Sequence, residues 1–204
     1  NVVSGEKSLD KKHLKKETKM SKNLDIPKIR HLHAMSTATI NGNRHIILSG
    51  GIIGDSFNIL SSVIYFNYED PTSGWQSFSD MPERRYDHSM STVMINGNVH
   101  IVVSGGKDDN GNAFSSVIYL DYEDPTAGWQ FFPDMPKERW LHAMHTVTIN
   151  GNEYIVVSGG LDDNLNKLSS VSYLDVNNPT AGWQTDFPDM PERRWRHVMS
   201  TVII

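Results

Sequence analysis

Four Arg-x-x-His elements are the residues whose types and spacing first suggest chemistry: Arg30/His33, Arg85/His88, Arg139/His142 and Arg194/His197. A ring of imidazoles could hold a transition metal if the rings converged on one point. Repetition argues the other way, because a position filled alike in every copy of a repeat belongs to the scaffold. His145 departs from the pattern by replacing Ser36, Ser91 and Ser200, and it is the histidine expected to line a central channel. Asp108-Asp109-Asn110-Gly111-Asn112 and Asp162-Asp163-Asn164 are oxygen-rich runs of a kind that can bind calcium. Neither has the full ligand spacing with a distal glutamate, and turns favour these residues in any case. The chain has no cysteine, so disulfides, thiolate metal sites and cysteine nucleophiles are excluded. No metal, cofactor or catalytic residue is expected.

The elements that must position these residues follow from a repeat. Gly-Gly pairs fall at Gly50-Gly51, Gly105-Gly106 and Gly159-Gly160, tryptophans at Trp75, Trp129 and Trp183, and Met-Pro pairs at 81–82, 135–136 and 190–191. Every spacing is 54 or 55 residues. Within the copy at 85–138, Ser89–Ile95 reads as a first strand ending at Asn96-Gly97-Asn98, the strongest short signal for a tight hairpin. His100–Ser104 is a nearly continuous β-branched run, expected when both faces are buried. Gly105-Gly106 ends it, a polar loop follows, and Ser116–Tyr122 reads as a third strand. After the Asp124–Gly128 turn, Trp129–Phe132 makes a fourth strand, with Trp129 as an apolar wedge between units.

Composition sets outer bounds. The chain of 204 residues is 38% hydrophobic and 21% charged, as in ordinary globular proteins, with no apolar run long enough to span a membrane as a helix. Residues 1–29 carry eight lysines against four acids, a balance of +4, and the remainder carries eleven bases against twenty acids, a balance of −9. A body that acidic is a poor match for nucleic acid, whose binding rests on neutralising phosphates. No membrane partner is expected either. The lysine-rich stretch Lys7–Lys22 reads as a solvated tail, a lysine-blunted strand edge or a contact for an acidic partner. The absence of cysteine, of a glycosylation sequon and of a visible signal peptide leans toward a cytoplasmic location.

In order and spacing, Arg-x-x-His, a hydrophobic hairpin into Gly-Gly, a Tyr-containing strand, Trp and Met-Pro resemble Kelch repeats. The resemblance implies an all-β, Kelch-like β-propeller of four-stranded antiparallel blades. Three full repeats occupy 30–84, 85–138 and 139–193, with partial repeats at 1–29 and 194–204. The N-terminal piece lacks a first strand and the C-terminal piece, His197–Ile204, supplies one. Pairing them would close a fourth blade and remove exposed edges. The alternative is an arc cut from a larger ring, which as an open propeller would self-associate.

Kelch-like proteins commonly serve as interaction modules, so the resemblance implies a protein or peptide partner bound through blade loops, as in an adaptor or substrate-recognition domain. In such domains the Arg region and the loop after Gly-Gly lie on the binding face. Carried over, that face comprises Arg30, Arg85, Tyr86, Arg139, Trp140, Arg194 and Trp195. The competing reading pairs the arginines with Glu83, Glu138 and Glu192. Residues just after each Arg differ between copies: His31-Leu32, Tyr86-Asp87, Trp140-Leu141 and Trp195-Arg196. The functional alternative is a carbohydrate-binding or sugar-processing propeller such as a mutarotase. A copper site like that of galactose oxidase needs a cysteine, and the iron-binding E-x-x-x-D-x-x-x-H of plant nitrile-specifier proteins does not occur.

Overall fold

The computed structural model describes residues 25–55 and 57–200. They form an all-β assembly of antiparallel sheets. In chain order the strands are β1 (Arg30–His31), β2 (Ala34–Ile40), β3 (Asn43–Ser49), β4 (Ile52–Ile53), β5 (Asn58–Ile59), β6 (Val63–Asn67) and β7 (Trp75–Ser77). They continue with β8 (Ser89–Ile95), β9 (Asn98–Ser104), β10 (Val117–Asp121), β11 (Gln130–Phe132), β12 (Ala143–Ile149), β13 (Asn152–Ser158) and β14 (Val171–Asp175). Three meanders, β2-β3-β6-β7, β8-β9-β10-β11 and β12-β13-β14, correspond to the three sequence repeats. Among the described residues no helix is long and apolar enough to cross a membrane.

Local chemistry explains each meander. The Asn-Gly turns hold Asn41, Asn96 and Asn150 at φ near +50° ahead of Gly42, Gly97 and Gly151, the backbone twist that tight hairpins require. The second strands β3, β9 and β13 are buried on both faces over most of their length, which accounts for their unbroken apolar runs. One expectation is corrected: the third unit has no full fourth strand. Its place is taken by a single bridge between Tyr173 and Gln184. Six residues separate Trp75 from Met81 and Trp129 from Met135, but seven separate Trp183 from Met190, and the extra residue disrupts the ladder.

The units join through their first strands, β2, β8 and β12, which lie side by side. Thr92 Oγ1 donates to Thr37 O (3.1 Å) and Thr146 Oγ1 to Thr92 O (2.7 Å). The core fills the spaces between neighbouring sheets. Ile47, Met81 and Ile101 belong to one junction, Val102, Met135 and Ile155 to the next. The tryptophans reach back across these junctions, Trp129 Nε1 donating to Ser79 O (3.2 Å) and Trp183 Nε1 to Pro133 O (2.8 Å). The unit expected from joining residues 1–29 to 194–204 falls largely outside the described residues, and His197–Ser200 are not in a strand.

A further, smaller ladder was not expected from sequence. β1 pairs with β4 and β4 with β5, and bridges Tyr86–Lys107–Ala113 and Trp140–Leu161–Lys167 repeat it in the next two units. The loop after each Gly-Gly is thereby folded back against the residue that follows the Arg.

Candidate functional site

The Arg-x-x-His elements turn inward and stitch the units together. Arg85 Nη1 donates to Gly105 O and Arg139 Nη1 to Gly159 O, both at 3.0 Å, and Arg30 Nη1 reaches Gly50 O at 3.2 Å. Arg85 Nη2 also meets Glu83 Oε2 and Ser116 Oγ, each at 2.7 Å, and its guanidinium lies 4.1 Å from the Phe114 ring centre. Arg85 and Arg139 are 0% and 1% exposed, and burial pulls both down to about 10. The expectation that these two belong to an open binding face is therefore corrected. Glycine carbonyls within the same unit take up their donors. Arg30 is also buried, whereas Arg194 is exposed, 3.7 Å from Glu192.

Each histidine reaches back to the preceding unit. Ser49 Oγ lies 2.7 Å from His88 Nε2, and Ser104 Oγ and Ser158 Oγ lie 2.8 Å from the Nε2 of His142 and His197. One nitrogen of each of these three rings is thereby committed to a different serine. Among the described residues no group of three or more His, Asp or Glu side chains is placed to hold a metal. His145 is half-buried in β12 opposite Val156.

The oxygen-rich loops commit their carboxylates to protein partners. Asp108 Oδ1 accepts the Asn110 and Asn112 backbone N–H groups, both at 2.8 Å. Asp162 accepts from Asn166 N (2.8 Å) and from Lys137 Nζ (2.6 Å), and those bonds, the lysine's first, hold its carboxyl well below the usual range. These are turn-closing aspartates.

The residues that differ between copies converge at the Gly-Gly end of the units. Asp87 N–H donates to Leu32 O (3.0 Å), Leu141 N–H to Asp87 O (2.9 Å) and Arg196 N–H to Leu141 O (2.8 Å). All four residues hold φ between +52° and +56°, a conformation that costs a non-glycine residue about 1 kcal/mol. Beside this backbone chain stand Tyr86, Trp140 and Trp195, each covered by a loop residue of the preceding unit. Phe57 meets Tyr86 edge-on at 5.6 Å, and the Nζ atoms of Lys107 and Lys167 lie 4.2 and 4.1 Å over Trp140 and Trp195. Tyr86 is buried, which corrects its expected place on an open face as for Arg85 and Arg139, while Trp140 is half-buried and Trp195 39% exposed. Lys107 and Lys167 were not singled out from sequence, and Asp87 and Arg196 were noted only as varied positions. The signal was available, since Asp87 and Arg196 occupy the varied positions, but the cation–aromatic pairs depend on loop folding that no local pattern encodes.

Asp87 is the electrostatic exception of the face. Burial pushes its carboxyl up to about 6, while the positive charges of Arg196, then Lys107 and His31, pull it down. A carboxylate held this way is ionised at neutral pH at the expense of stability, which is common where a charge serves binding rather than folding. Asp87→Asn keeps a residue tolerant of positive φ and removes that charge. We expect it to raise unfolding free energy at pH 8 by on the order of 2 kcal/mol in urea titrations; a variant less stable than the parent would show that the carboxylate is net stabilising. No protein-family model matches the chain, and no curated protein matches its sequence.

Proposed function

We propose that this chain is a Kelch-like β-propeller segment acting as a non-catalytic binding module for a protein or peptide. The partner surface is the Gly-Gly end that carries Trp140, Trp195 and Arg196. One observation carries the reading. The repeated Arg30, Arg85 and Arg139 and the repeated His88, His142 and His197 are bonded inward, whereas the residues that follow each Arg are brought together by the Leu32–Asp87–Leu141–Arg196 backbone chain. Tryptophans and an exposed arginine are side-chain types enriched at interface hot spots. The burial of Arg85 and Arg139 supports the same division of labour, because it fixes the frame on which the varied residues stand.

Affinity capture with the wild-type chain and a Trp140→Ala/Trp195→Ala double variant tests this. The expected result is a saturable protein or peptide partner whose affinity falls about thirtyfold or more in the variant, the scale of one hot-spot truncation. A partner held equally well by both proteins would place binding elsewhere.

A further inference from the structure

At the opposite end of the sheets, between the first and second units, lies a cleft of about 380 Å³ lined by Asn43, His45, Tyr65, Asn67, Gln76 and Tyr122. That volume suits a small ligand. The seven-residue inner strands place it roughly 20 Å from the Gly-Gly end.

Comparison with the second unit shows what is unusual about this place. There, Asn98 Nδ2 donates to Asp121 Oδ2 at 3.0 Å, and His100 Nε2 lies 3.8 Å from the same oxygen. The corresponding polar groups satisfy one another. In the first unit Asn67 stands where Asp121 stands in the second, and the Asn43 and His45 side chains have no such partner among the described residues. Asn67 Oδ1 accepts the Glu69 N–H (2.9 Å), which leaves its amide NH₂ to the cleft. Tyr65 OH donates to Gln76 Oε1 (3.1 Å), which leaves the Gln76 NH₂. Asp70 Oδ1 accepts the Thr72 N–H at 3.2 Å, and its second oxygen is uncommitted. The cleft therefore offers the amides of Asn43, Asn67 and Gln76, an imidazole, a phenol and one carboxylate oxygen, with no lysine or arginine side chain at its centre.

The apolar part is a wall of packed rings. Tyr122 lies 4.8 Å from Phe78 in a stacked arrangement, 5.5 Å from His45 and 5.8 Å from Tyr65. At the junction of the second and third units, Val176 occupies the position of Tyr122. Tyr65 stands at 74° and His45 at 48° to the Tyr122 ring, and rings packed this closely leave no cage between them for a quaternary ammonium group. The one carboxylate disfavours an anion. An aromatic wall next to neutral donors and one strong acceptor fits the C–H face and hydroxyl groups of a pyranose. We propose that this cleft binds a neutral carbohydrate, independently of the partner surface at the other end.

Ligand-observed NMR on the full chain tests the proposal, using a panel of neutral hexoses and their short oligosaccharides, glucuronate as an anionic probe and tetramethylammonium as a cationic one. The expected result is saturable binding of at least one neutral sugar and weaker binding of both charged probes. Tyr122→Val introduces the third unit's residue, and Asn67→Asp restores the second unit's carboxylate, which should lock Asn43 and His45. Each is expected to weaken sugar binding about tenfold, the scale of one good contact, while capture of a partner through Trp140 and Trp195 is unchanged. Absence of saturable sugar binding, preference for either charged probe, or binding that survives Asn67→Asp in a folded protein would overturn the proposal.

Discussion

Gly105→Ala is expected to destabilise the protein severely, although it adds a single methyl group. Gly105 has φ +59°, and a Cβ placed there would overlap the carbonyl oxygen of Arg139 and lie 2.8 Å from His142 Cε1. Neither neighbour can yield cheaply. Arg139 O also accepts the Gly106 N–H at 3.0 Å, and His142 is held by Ser104 at 2.8 Å. Relieving the overlap would separate the second unit from the third. The left-handed backbone alone costs about 1 kcal/mol, and forced separation of a packed junction brings the total above about 4 kcal/mol. That is a large share of the roughly 5–15 kcal/mol that holds a domain together. Gly111→Ala is the control, since Gly111 has a similar backbone, φ +81°, but nothing within 4 Å of the added methyl. It should cost only about 1 kcal/mol. Urea unfolding followed by circular dichroism compares the two; costs within 1 kcal/mol of each other would mean that the Gly-Gly contact does not hold the units together.

The same contact shows why part of the molecule is legible in sequence and part is not. Period, strand order, Asn-Gly hairpins and the reach of Trp129 and Trp183 across the junctions depend on local spacing, and spacing is what a sequence displays. The direction of a long side chain is not. Arg85 has a carboxylate two residues away and could have stood in solvent beside it. Instead it satisfies Glu83, Gly105 O and Ser116 at once from a buried position, because the second unit's own turn delivers that carbonyl twenty residues later. Trp140 and Trp195 were visible as varied aromatics, but the lysines above them were not, because Lys107 and Lys167 occupy different loop positions. The first-unit cleft was illegible for a related reason. It arises from an Asn67-for-Asp121 difference within one unit and a Tyr122 contributed by the next.

Acid should destabilise the protein well above the pH at which its carboxylates titrate. Burial first, and the charge of Arg85 second, pull His88 down to about 3 from an ordinary value of 6.5, and burial pulls His142 well down in the same way. Between those limits the unfolded chain takes up protons that the native one refuses. Stability is therefore fully present above pH 6.5 and is lost as pH falls toward 3. At pH 5 the loss from His88 alone is about 2 kcal/mol, and His142 adds to it. Asp87 works in the opposite direction. Its carboxyl is raised to about 6, so protonation below that pH relieves a buried charge and returns about 1 kcal/mol by pH 5. The histidines win. Scanning calorimetry at pH 7.5 and 5 is expected to show a Tm lower by roughly 6–12 °C at the acid pH, the shift that about 3 kcal/mol produces in a chain of this size. His88→Gln, which can still reach Ser49, should remove about 2 kcal/mol of the pH dependence. Equal Tm values at the two pH values would show that the native state protonates these rings freely. The enclosure that makes the histidines acid-sensitive also keeps them neutral at physiological pH. A neutral imidazole bonded to Ser49 or Ser104 between two sheets locks adjacent units together, and this accounts for the same histidine in every copy of the repeat.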